Sequence, residues 1–142
     1  MVVFEFEKLV VYCKARAFRK RIYRLSRLLP ADEFKLKVQM RDAARSLTNN
    51  IAEGHGRYTF KERVRFCMDS RGSLQELVDN INLCEDEGYA KPAHLETIRV
   101  DAAEVLKLIN GYVAYLRRCA VEDKEKRKPK KLVKRPELTQ LT

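Results

Sequence analysis

Histidine is scarce in this chain, and the scarcity excludes much of the chemistry that 142 residues could carry. His55 and His94 are the two imidazoles. Neither stands at a zinc-ligand spacing, and neither belongs to a Glu-x-x-His pair of the kind that di-metal bundles use. A serine nucleophile would need a base from outside this short supply. Cysteine is equally unhelpful: Cys13, Cys67, Cys84 and Cys119 are widely separated and make no C-x-x-C pair. Three of them fall on apolar stripes, where a free thiol acts as a small hydrophobe. Five glycines and four prolines are too few for a loop-rich or disordered chain. No G-x-x-x-x-G-K-[ST] loop is present, and Gly54-His55-Gly56 runs into Arg57 rather than a phosphate-binding helix start. Glu76 and Asp79 share a helix face but have no histidine beside them, so they read as solvent carboxylates. Non-enzymatic function is the expectation, with no metal and no cofactor. No apolar run approaches the ~18 residues of a membrane span, and acids stand near the N-terminus where an export signal would be basic. A cytoplasmic protein without a membrane partner is expected.

Acids are missing from one stretch in particular. Between Lys14 and Arg27 there are seven basic residues and no carboxylate: Lys14, Arg16, Arg19, Lys20, Arg21, Arg24 and Arg27. A solubilising helix face usually mixes signs and gains Glu–Lys support, so a one-signed run raises polyanion contact beside the plain solvated face. The formal net charge of the chain is +10. Residues 1–120 carry 22 Lys+Arg against 16 Asp+Glu, and residues 121–142 carry eight against four, so both parts are basic. Such a protein attracts polyanions, nucleic acid above all.

What is abundant is helical periodicity. Val11, Ala15, Phe18, Ile22, Leu25 and Leu29 recur at spacings of three and four, which predicts a helix from about Glu5 to Leu29 that Pro30 stops. Asp32 is placed to cap a second helix, which carries Leu36, Met40, Ala43, Leu47 and Ile51 inward and ends at Glu53–Gly54. Gly54 and Gly56 offer the positive-φ freedom that ends a helix cheaply. Thr59 with Glu62 forms a capping-box pattern for a third helix, Phe60 to about Asp86, with Phe60, Val64, Cys67, Leu74, Val78 and Ile81 in line. Arg71 falls on that line, and Gly72 and Ser73 follow it as a small-residue patch suited to close packing.

Antiparallel counting across the turn at 54–59 sets Leu47 level with Cys67 and Ala43 with Arg71. Glu53 and Arg71 are then out of reach of each other. Glu53 is expected to pair with Arg57 or with backbone N–H groups at the start of the third helix. Arg71 is expected to reach a carboxylate or carbonyl on a facing helix, Asp42 being the nearest acid.

Gly88 closes the third helix and Pro92 opens a fourth, with Leu95, Ile98, Ala102, Val105, Ile109, Tyr112, Leu116 and Cys119 on its seam. Leu106, Val113 and Tyr115 lie off that seam. A helix apolar on more than one face either has a second neighbour, which would make these three an oligomer interface, or has a wide core stripe. Beyond Ala120 the chain has two prolines, no aromatic residue and no sustained period. It reads as a disordered basic tail in which Lys126, Arg127, Lys128, Lys130 and Lys131 could serve as a nucleic-acid arm. The expected fold is all-α: an antiparallel up-down-up-down four-helix bundle over 1–120 with a flexible tail over 121–142.

Several segments carry a resemblance. Asn50-Ile51-Ala52-Glu53-Gly54, Gly56-Arg57, Arg65-Phe66 and Arg71-Gly72-Ser73-Leu74-x-Glu76 resemble the hallmark pattern of the four-helix-bundle family of 23S rRNA intervening-sequence proteins. Leu9-Val10-Val11-Tyr12, Ala15, Tyr23-Arg24-Leu25 and Gly88-Tyr89 fit the same pattern, so the likeness spans roughly residues 4–118. Thr48 departs from it where a proline is common, and Ser70 where alanine is usual. The resemblance implies a structural role for Asn50, Glu53, Gly54, Arg57, Arg71 and Gly72, and a ring-like homopentamer. It carries over no catalytic residue, because the family has no settled biochemical activity; many members are reading frames within sequences inserted in ribosomal RNA genes. A distant branch, the accessory variability determinant of diversity-generating retroelements, comprises basic pentameric barrels that bind nucleic acid and a reverse transcriptase.

Two function classes follow. One is a nucleic-acid-binding oligomeric scaffold, for RNA or DNA, that uses the first helix and the tail beside a reverse transcriptase. The other is a protein-interaction module whose oligomer displays a shared surface and whose charge is incidental.

Overall fold

The computed structural model describes residues 1–129. Four α-helices make up most of these residues, and no strand occurs among them: α1 Val10–Ser26, α2 Phe34–His55, α3 Phe60–Asp86 and α4 Pro92–Lys126. Each helix packs on the two beside it, with α1 and α4 closing the ring of neighbours. The architecture is the expected antiparallel four-helix bundle.

The inward seams meet in one core. Phe18, Ile22 and Leu25 of α1, Met40, Leu47 and Ile51 of α2, Leu74, Leu77 and Ile81 of α3, and Leu95, Ile98 and Ile109 of α4 are fully buried. Each such side chain contributes about 1.5–3 kcal/mol relative to exposure, and this holds the helices together more than local propensity does.

The helix ends depart from the sequence reading in instructive ways. The first segment is two pieces, a 3₁₀ turn over Glu5–Lys8 and then α1. At its other end α1 tightens before Pro30, with Leu28 N–H bonded to the Leu25 carbonyl, because the residue before a proline is pushed out of the helical region. Asp32 sits inside a 3₁₀ turn, Ala31–Glu33, rather than capping α2. Gly88 is the one positive-φ residue among those described, at +68°. It closes α3 in a Schellman arrangement, with Tyr89 N–H on the Cys84 carbonyl and Gly88 N–H on that of Glu85.

Gly54 and Gly56 keep negative φ, so α2 runs through Gly54 to His55. Gly54 is needed for a different reason: a Cβ there would lie 2.7 Å from the Phe66 Cβ, so its bare backbone lets α3 approach. Only the hydroxyl half of the capping box is evident, the Thr59 oxygen accepting from Glu62 N–H at 3.1 Å.

The longer α2 moves the turn along the chain and shifts the α2–α3 register by about one helical turn from the expected one. Ser70 Oγ donates to the Leu47 carbonyl (2.9 Å), and Ser73 and Ser46 share a hydroxyl bond (2.9 Å). Against α4 the register of α3 is marked by Arg71 with Asn110 and Asn82 with Arg99. Extended, that register sets Phe60 level with Val121. On the other side, Lys14–Glu104 and Arg21–Asp101 set the start of α1 near Asn110. Nearly the last half of α4 therefore continues past α1, and its final turn past α3 as well. Residues 121–126, read as tail, are helical. Lys130 and Lys131 lie outside the described residues.

Candidate nucleic-acid interface

The seven basic residues of α1, counting its C-cap Arg27, divide into three sets according to their partners. At 3.6 residues per turn, Lys14 and Arg21 lie on the side that meets α4. Lys14 Nζ stands 3.4 Å from Glu104. Arg21 is held at three points: its guanidinium donates to Asp101, to the Thr97 hydroxyl (2.7 Å) and to the Thr97 carbonyl (3.1 Å). Arg21 fastens α1 to α4, whereas Lys14 is exposed and only pairs across to α4 at the surface, on the side away from the other cations.

Arg16, Lys20, Arg24 and Arg27 remain exposed, and none has a carboxylate partner within 4.0 Å among the described residues. Lys20, Arg24 and Arg27 line a shallow open groove of about 340 Å³ with Arg19 and Tyr23. Arg16 and Lys20 line an adjoining hollow of about 250 Å³ with Glu7, Tyr12, Cys13 and Ala17. Lys20 is common to both, so the cationic surface is continuous from Arg16 to Arg27. Arg19 is half-buried and aimed by α2: its Nη1 donates to Thr48 Oγ1 at 2.7 Å, and that hydroxyl donates in turn to the Arg45 carbonyl.

Both departures from the family pattern thus have work between helices, Thr48 toward α1 and Ser70 toward α2. Sequence reasoning missed Arg41. On α2, its guanidinium lies over the Tyr23 ring, 5.1 Å from the centroid, while Nε donates to Ser26 Oγ at 2.9 Å. Only the facing of α1 against α2 makes this cation part of the α1 surface.

The polar motif residues Asn50, Glu53, Arg57 and Arg71 each make a contact within the bundle. Asn50 Nδ2 donates to the Ser46 carbonyl (2.9 Å) and hydroxyl (3.0 Å). Arg57 pairs with Glu53 at 2.8 Å, as expected, and also lies over the Phe66 ring, 4.7 Å from its centroid. Arg71 is half-buried and donates to Asn110 Oδ1 at 3.1 Å, so its partner is an amide carbonyl on α4. The expected neighbour Asp42 is engaged by Arg45 instead. Gly72 is exposed, with nothing within 4 Å of where its Cβ would be, so the small-residue patch makes no tight contact within this chain.

The three residues expected at an oligomer interface do not share a face. Val113 is 4% exposed and belongs to the core, in the seam place expected for Tyr112, which is only half-buried. Leu106 lines a cleft between α3 and α4 with Leu74, Val78 and Ala102. Tyr115 lies nine residues on, half a rotation from Leu106 at 100° per residue. It is 53% exposed and stacks on Tyr112, centroids 6.3 Å apart. Tyr112 in turn lines an apolar groove of about 480 Å³ with Leu9, Val10, Val11, Leu108 and Gly111, where α4 passes the start of α1.

Lys126 ends α4, and Arg127 pairs with Asp123 at 3.3 Å. The thiols of Cys67 and Cys84 are pushed up to about 11 by burial, those of Cys13 and Cys119 lie nearer the surface, and all four are free. No group of three or more His, Cys, Asp or Glu among the described residues is placed to hold a metal. No helix among them is long and apolar enough to cross a membrane.

Comparison with curated proteins gave no match. Among solved structures the chain is similar to a protein of unknown function from the S23 ribosomal protein family of Bacteroides thetaiotaomicron. The TM-score is 0.69 and the identity 21%, over 74% of this chain and 96% of that one. At that identity the likeness speaks for the bundle alone. Residues 7–111, which contain the whole α1 surface and every motif residue, match the family described as 23S rRNA-intervening sequence protein, and the chain belongs to that family.

Proposed function

We propose that this protein is a non-enzymatic scaffold that binds RNA or DNA through the outer face of α1 and assembles with copies of itself. The observation that carries the reading is the continuous surface from Arg16 to Arg27. Four of its cations have no carboxylate partner among the described residues, and they gather on the side of α1 that the core and α4 leave open. Cations at such density attract phosphates by counterion release, which needs no base recognition. Lys126, Arg127 and Lys128, with Lys130 and Lys131 beyond them, add a second source of attraction. A reverse-transcriptase partner and a pentameric ring enter this proposal through the resemblance, and a cytoplasmic setting through the composition.

The apolar groove at Val10, Leu108 and Tyr112, with the exposed Tyr115 beside it, favours the assembly half of the proposal. It is also the observation behind a second reading, in which the oligomer is a protein-interaction module and its charge only keeps it soluble.

Binding of the full chain to RNA and DNA as a function of salt separates the two. For the first reading, affinity falls steeply with salt, by about 0.9 in log–log slope per phosphate neutralised on duplex DNA and about 0.7 on a single strand. The variant R16Q/K20Q/R24Q/R27Q flattens that slope while its helical spectrum is unchanged. No binding at ~50 mM salt, or an unaltered slope in the variant, would overturn the α1 interface.

A further inference from the structure

The α1 surface has a geometry that selects among nucleic acids, and the inference drawn from it rests on the nucleic-acid reading above. Arg16, Lys20, Arg24 and Arg27 follow one another by four, four and three residues along α1. At 1.5 Å per residue they make a single row about 16 Å long, within roughly a quarter turn of the helix. A duplex offers its phosphates as two strands separated by grooves of about 6 and 12 Å, so one row of cations can follow only one of them.

The row has an aromatic neighbour in the same groove, Tyr23. That ring is held in place. The Arg41 guanidinium lies over it, Arg41 Nε is anchored on Ser26 Oγ, and the Ser26 hydroxyl donates to the Tyr23 carbonyl at 2.6 Å. A half-buried aromatic beside a line of cations is the arrangement by which proteins take a single strand, phosphates along the basic track and a base on the ring. Between Val10 and Ser26 there is no Asn, Gln, Asp or Glu, so α1 has no amide to read adenine and no carboxylate to read cytosine. Arginine can read guanine, but a row of cations laid along phosphates is taken up by them, and stacking, which every base can do, then holds the base.

We infer that the α1 groove takes single-stranded nucleic acid, with the strand running along Arg16 to Arg27 and one base stacked on Tyr23, and with little preference for sequence.

The test is fluorescence anisotropy of the full chain with a labelled 12-nucleotide single strand and a duplex of the same sequence, as RNA and as DNA, at matched salt. The single strand is expected to bind at least about 5-fold more tightly. Tyr23→Leu is expected to weaken it by about 10-fold with no change in salt slope or in duplex binding, and Tyr23→Phe to bind as the parent does. A strand carrying 5-iodouracil, irradiated with the unaltered protein, should crosslink at Tyr23, which decides the matter even if Y23L fails to fold. A duplex bound as tightly as the single strand, a folded Y23L that binds like the parent, or crosslinks confined to other residues would overturn this inference and leave the proposed function standing. Failure of both nucleic-acid forms to bind would overturn the two together.

Discussion

Gly54 and Phe66 set the distance between α2 and α3: a methyl group on Gly54 would have to share space with the Phe66 Cβ, 2.7 Å away. The atom it would meet is fixed to the α3 backbone and cannot swing aside. Gly54→Ala is therefore expected to cost about 1–3 kcal/mol despite the better helix propensity of alanine. Gly72 makes the control, since its Cβ would meet nothing within 4 Å. Gly72→Ala should raise stability by about 0.5–1 kcal/mol. Thermal melts of the two variants read both signs, and a loss at Gly72 would place that position against a second subunit.

Arg21 belongs to the same basic run as Lys20 but serves the fold. Arg21→Gln removes the link to Asp101 and Thr97 and should cost about 1–2 kcal/mol, because the charged hydrogen bonds are partly screened by solvent. Its salt slope for nucleic acid should match the parent's. A slope that fell as it does for the four outer cations would place Arg21 among the phosphate contacts.

Cys67 and Cys84 keep their protons well past the ordinary thiol range, to about pH 11, because burial disfavours the thiolate. Unfolding frees them to ionise near 9, so between about pH 9 and 11 the unfolded state binds fewer protons than the folded one. Stability should fall as pH rises through that window and be insensitive to these thiols below it. Denaturant titrations at pH 8, 9 and 10 should show the decline, and C67A/C84A should flatten it. In the native state at pH 8, iodoacetamide should modify exposed Cys13 long before either buried thiol.

Arg71 stands where the α3 stripe is interrupted, yet it is half-exposed and bound to an amide rather than an acid. Arg71→Met should change stability by less than about 1 kcal/mol in either direction. It should leave nucleic-acid affinity as it was. A folded R71M that lost binding would put Arg71 in the interface.

How much of this was legible in the sequence depends on the period of each signal. The four helices and the seams of α1 and α2 follow from apolar spacing, and Gly88 is where a positive φ was needed. On α3, however, Phe66, Leu77 and Cys84 are buried where the spacing pointed to Phe60, Val64 and Val78, which are half-buried. Gly54 could be seen as special but not why, since the reason is the approach of another helix. One turn of register between α2 and α3 was lost for the same reason. The basic run on α1 was visible as composition. Its division into Lys14 and Arg21 on one side and Arg16, Lys20, Arg24 and Arg27 on the other needed the position of α4. Arg41 was hidden because residues on different helices become neighbours only through packing. Leu106, Val113 and Tyr115 were grouped by being off the seam, which says nothing about which way off it they point.

Because α4 continues past both of its neighbours, its last turns have no partner to hold them shut. Helix that packs against nothing opens locally at little cost, and Lys124, Lys126, Arg127 and Lys128 are the residues trypsin seeks. Brief digestion should therefore trim the protein at that stub before it cuts the bundle, most of whose arginines lie on packed helices, with Arg27 and Arg57 in the short connections between them. The trimmed chain would separate the two basic regions by a cut rather than by mutation, keeping the α1 face whole and discarding the C-terminal lysines.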